Sequence, residues 1–71
     1  MQIEVFRTDV NTKEHADTVL DLLRRILPAG RLNFDLADRD NILRIEAREV
    51  QVQSIVSLLA AAGFICIPLE S

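Results

Sequence analysis

The sequence predicts an α+β domain of order β-α-β-β-α-β, with two helices on one face of a four-stranded antiparallel sheet. Three observations predict it. Apolar residues recur at helical 3/4 spacing in two stretches, alternate with polar ones in three others, and run on without a charge through residues 64–69. The whole pattern also fits into 71 residues with no linker, internal repeat or low-complexity run, so residues 1–71 read as one domain. A chain this short buries only about 60% of its unfolded surface. That supports one thin two-layer core and no deep enclosed active site.

Ile3 and Val5 alternate with Gln2 and Glu4, the period of a half-buried strand running to about Thr8. Asn11 and Thr12 are both good N-caps. Glu14 stands three residues after Asn11, as a capping box requires, so the first helix is predicted to begin there. Ala16, Val19, Leu20, Leu23, Ile26 and Leu27 form its apolar stripe. Arg24 and Arg25 lie late, where cations suit the helix dipole. Pro28 and Gly30 predict a stop near Leu27. Leu32, Phe34 and Leu36 form a second strand, residues 37–41 (ADRDN) have turn chemistry, and Leu43, Ile45 and Ala47 form a third strand. Val52, Ile55, Val56, Leu59 and Ala62 mark a second helix ending at Gly63. Residues 64–69 form the last strand, and Pro68, which has no N–H, predicts that it lies at an edge.

For this order of elements the packing solution is the ferredoxin-like sandwich. Right-handed crossovers then give the spatial order four, one, three, two, with the fourth and second strands as edges. The loop after the first strand, the hairpin turn and the loop before the last strand emerge at one end, here called the top.

Composition excludes several classes. The net charge of −3, with no Trp, no Tyr and no basic run, argues against a nucleic-acid surface. Phe6 alone offers a ring for stacking on RNA from a central strand. One Cys allows no internal disulfide and no four-thiolate zinc site. No uninterrupted apolar stretch approaches the ~20 residues of a membrane helix, and no basic segment precedes an apolar one at the N-terminus. The expectation is a cytoplasmic protein without a signal peptide or membrane partner. Gly30 and Gly63 stand alone rather than in a phosphate loop, and no nucleophile has a base with an orienting third group. The carboxylates of Asp38 and Asp40 sit on a turn open to water, so no environment separates their acidities. The expected protein is not an enzyme.

Val19 and Leu23 in the first helix, the Pro/Gly turn, Phe34-Asp35-Leu36 and the run Ala61-Ala62-Gly63-Phe64 carry a resemblance. Over nearly its whole length the chain resembles the heavy-metal-associated domain of small copper chaperones and metal-transporting P-type ATPases. Aligned on Val19, the family's M-x-C-x-x-C loop falls on residues 10–15, with Val10 at the Met position and Thr12 and His15 at the two cysteines. A hydroxyl and an imidazole do not reproduce the paired thiolates that suit Cu(I). The resemblance therefore implies the fold and leaves copper chaperoning without its residues.

The polar groups of the top are Asp9, Asn11, Thr12, His15 and residues 38–41. Most are expected to cap the helix and close the hairpin. An altered metal site built from His15, Cys66 and Asp9, holding a divalent transition metal such as Zn(II), Cu(II) or Ni(II), is the alternative to a protein with no cofactor. In the resembled family the aromatic after Gly, and the second and fourth residues beyond it, point inward. That parity implies Phe64, Cys66 and Pro68 on the helix-covered side, with Cys66 as a small buried hydrophobe. Ile65 and Ile67 then face the uncovered side, joined by Phe6, which is out of phase with Ile3 and Val5, and by Ile42 across the sheet. Stems of Arg7, Arg44 and Glu46 cover part of this patch.

A cluster of large apolar side chains on a sheet face without a helix marks an association surface. The expected function is an interaction or assembly module forming a weak homodimer or binding a heterologous protein. Two other readings are a metal-ion binding or trafficking protein using His15 and Cys66, and effector sensing by a dimer of similar topology, which no residue supports.

Overall fold

The computed structural model describes residues 1–69. Its elements are β1 (Gln2–Thr8), α1 (Lys13–Ile26), β2 (Arg31–Asp35), β3 (Ile42–Ala47), α2 (Val52–Ala61) and β4 (Cys66–Leu69). The four strands lie in the order β2-β3-β1-β4, each antiparallel to its neighbour. This is the expected ferredoxin-like arrangement, with β2 and β4 at the edges. No helix of the described residues is long and apolar enough to cross a membrane.

Local chemistry sets the helix ends. Thr12, in extended conformation, caps α1 by accepting the His15 N–H at 3.1 Å. With Thr12 rather than Asn11 as cap, the residue three positions on is His15, so the expected Asn11–Glu14 capping box does not form. Glu14 still places an acid in the first turn, and Arg24 and Arg25 place cations in the last. At the other end the Leu27 N–H bonds the Leu23 carbonyl at 2.8 Å, and Gly30 N–H then turns back to the Leu27 carbonyl at 3.0 Å. α2 ends in a Schellman motif: Phe64 N–H reaches the Leu59 carbonyl at 2.8 Å and Gly63 N–H that of Ala60 at 3.0 Å. This closure needs Gly63 at φ +93°, a conformation that a side chain disfavours.

The core lies between sheet and helices, built from Phe6, Leu43 and Ile45 of the sheet against Val19, Leu23, Ile55 and Leu59 of the helices. Phe6 is a correction. Its side chain is completely buried, and Ile3, expected inside, is 49% exposed. The side chains of β1 that face the helices are Gln2, Glu4, Phe6 and Thr8, so the expected parity of this strand is inverted. Both phases of β1 carry apolar residues, and the larger ring takes the core position. Gln2, at the first position of the inward phase, is satisfied by giving and accepting a bond with the Val50 backbone, at 3.0 and 3.1 Å.

In β4 the expected parity holds. Cys66 is buried, and Ile65 before the strand and Ile67 within it are exposed. Pro68 pairs with Phe6 and so lies on the helix side, yet at the sheet edge it stays exposed.

Candidate functional site

The top of the domain is tied together by short side chains. Thr8 is buried, donates its hydroxyl to the Asn41 carbonyl at 2.7 Å and accepts the Val10 N–H at 3.2 Å. Its own N–H donates to the Asp40 carbonyl at 3.2 Å, so one residue joins the hairpin turn to the end of β1. The turn is closed by carboxylates, with Asp35 Oδ1 accepting the Ala37 and Asp38 N–H groups and Asp38 Oδ1 the Asp40 N–H. Asn41 takes the left-handed φ of 47° that its side chain tolerates. Thr8 escaped sequence reasoning because a threonine in a strand is ordinary, and its acceptor is 33 residues away.

The three metal candidates gather around the start of β4, each already engaged. Asp9 Oδ1 accepts the Ile65 N–H at 2.8 Å. The His15 ring meets Phe64 edge-on, with centroids 5.3 Å apart. The Cys66 thiol is buried, and that burial pushes its pKa from 9.0 to about 11. Among the described residues no three His, Cys, Asp or Glu side chains form a group that could hold a metal ion.

The Cys66 shift makes a pH prediction. The unfolded chain loses the thiol proton from about pH 9 while the folded chain keeps it to about 11. The unfolded state therefore binds fewer protons in that window, and stability falls as pH rises through it. Urea denaturation at pH 8, 9, 10 and 11 is expected to show this decline for the wild type, with a shallower slope for Cys66→Ala. Equal slopes would show that the thiol titrates alike in the folded and unfolded states.

The uncovered sheet face holds the most unusual surface. Cross-strand register sets its side chains in three rows running from β2 to β4: Arg31, Glu46 and Ile3; then Asn33, Arg44, Val5 and Leu69; then Asp35, Ile42, Arg7 and Ile67. The β2 and β3 half is largely charged. The β1 and β4 half is apolar, with Ile67 and Leu69 each 40% exposed, and Ile65 beside them 59% exposed. Of the residues expected on this face, Ile42, Ile65 and Ile67 lie there. Phe6 does not, and Ile3 and Val5 take its place. A hollow of about 310 Å³ continues the patch upward, where Ile65 and Ile67 meet Arg7, Asp9, Arg39 and Asp40.

A larger hollow of about 620 Å³ opens at the opposite end, under the Pro28-Ala29-Gly30 turn and beside Ala47 and Arg48. The small residues of that turn are its only sequence signal. Comparison with known proteins finds no matching family model, no matching curated protein and no matching solved structure.

Proposed function

We propose that the chain is a non-enzymatic interaction or assembly domain, built on the heavy-metal-associated plan without its thiolate pair, that docks a protein partner on the uncovered sheet face. The observation that carries this reading is the apolar half of that face, where register places Ile3 and Val5 of β1 beside Leu69 and Ile67 of β4, with exposed Ile65 next to them and Arg7, Asp9, Arg39 and Asp40 around its upper end. Isolated apolar residues are common on protein surfaces, whereas a contiguous patch with a charged rim has the anatomy of an interface. The polar groups of the top favour the same reading, since Thr8, Asp9 and Thr12 are occupied in holding the backbone rather than presented to a substrate. Val10 is fully buried beside this loop, as a plug at the Met position of the resembled family would be.

The test is recovery of partners by the intact protein from extracts of its own cells. Ile65→Thr/Ile67→Thr keeps β-branched shape while removing apolar surface. Partners held by the wild type are expected to be lost by the double variant, with unchanged circular dichroism. Equal retention by both proteins would overturn docking on this face.

A further inference from the structure

The free edge of β2 reads Arg31-Leu32-Asn33-Phe34-Asp35, a cation at one end, a carboxylate at the other and an amide between them. We propose that this strand pairs antiparallel with β2 of a second copy, about a two-fold axis through Asn33, so that the two sheets join into one of eight strands. The inference stands apart from docking on the uncovered face and uses none of its isoleucines.

Strand geometry leaves few registers. Residues directly opposite each other in an antiparallel pair lie on the same face, so a two-fold pairing within one continuous sheet is centred on a residue. Centring on Asn33 alone uses all five positions of both strands. It sets Arg31 opposite the partner's Asp35, and the same pair recurs beyond the axis. On the helix side it sets Leu32 opposite the partner's Phe34, and these two side chains are only half-buried in the single copy. At the axis the two Asn33 amides meet, each both donor and acceptor. Moving the centre to Leu32 or Phe34 removes both charge pairs. An arbitrary partner strand has no reason to match this pattern, whereas a second copy matches it by symmetry.

The end groups have unused capacity. Among the described residues the only ion pair joins Arg24 and Asp21, so Arg31, although opposite Glu46 in the register, makes no ion pair in the single copy. Asp35 spends Oδ1 on the turn, and its other oxygen accepts no hydrogen bond among the described residues. The other sheet edge is less suited to pairing, because β4 contains Pro68, whose nitrogen cannot donate. Since the axis is perpendicular to the joined sheet, both uncovered faces lie on the same side, giving a platform of two adjacent docking surfaces.

Sedimentation velocity from about 10 μM to about 1 mM is expected to show a monomer–dimer equilibrium. Arg31→Glu sets two carboxylates opposite each other twice, and is expected to weaken the dimer about tenfold or more. Asp35→Arg does the same with guanidinium groups, and an equal mixture of the two variants is expected to regain association because each new charge meets its opposite. Asn33→Lys places two ammonium groups at the axis without touching the turn, and so tests the pairing even if Asp35→Arg unfolds. A wild type that stays monomeric throughout would overturn the proposal. So would a dimer that survives Arg31→Glu and Asn33→Lys, or one that Ile65→Thr/Ile67→Thr abolishes instead, which would place the contact on the uncovered face.

Discussion

Phe6→Ala is expected to remove roughly half of the domain's stability. Phe6 is the largest completely buried side chain, on a central strand. Truncating such a ring costs about 3 to 5 kcal/mol. At roughly 0.05 to 0.15 kcal/mol per residue, a chain of this length has only about 4 to 10 kcal/mol of stability to lose. Ile3→Ala, on the other phase of the same strand, is expected to cost about 1 kcal/mol or less, because Ile3 is already half-exposed. Urea denaturation of the two variants measures the phase of β1 directly. The reverse ranking would put Ile3 in the core and Phe6 on the uncovered face.

The second large effect is expected at Thr8. Thr8→Val fills the same space, yet removes the acceptor of the Val10 N–H and the donor to the Asn41 carbonyl. A buried polar group left without its partner costs about 1 to 3 kcal/mol, so the variant is expected to lose about 2 to 4 kcal/mol in total. Thr8→Ser retains the hydroxyl and is expected to lose much less. Amide hydrogen exchange locates the damage: the Val10 and Asp40–Asn41 region should exchange faster in Thr8→Val while α1 keeps its protection. A Thr8→Val protein as stable as the wild type would show that the tie between hairpin and loop carries no stability.

The helices were legible because their signals are local. The 3/4 spacing through Val19 and Leu23 and the Gly63 stop each lie within a few residues of the structure they specify, whereas of the two caps the sequence offers, Asn11 and Thr12, the structure uses Thr12 without the Asn11–Glu14 box. Strand order followed from element order and the handedness of crossovers, and Pro68 independently placed β4 at an edge. The phase of β1 was not legible, because Ile3 and Val5 on one side and Phe6 and Thr8 on the other alternate equally well. The choice is made by the volume available in the assembled core. In β4 only one phase offers Cys66 as the small buried group, and the parity implied by resemblance holds. Asp9 was legible as a top-end residue but not as the acceptor of the Ile65 N–H, since that bond spans 56 residues. The metal candidates lie near the start of β4 but form no group that could hold a metal ion among the described residues, and their hydrogen bond, ring contact and burial are tertiary facts that spacing does not carry.

Pro68 also bears on how large an assembly can grow. A sheet with two receptive edges can add copies at both ends without limit, which is the route to fibres. In this domain the two edges are unequal: β2 offers five residues of complementary sequence, and β4 is interrupted by an imide nitrogen that cannot donate. Joining at β2 uses up the receptive edge of each copy and leaves only β4 edges outside. Under the proposed pairing growth would terminate at two chains, and the same proline that marks the strand's place in the fold would guard against polymerisation through the sheet.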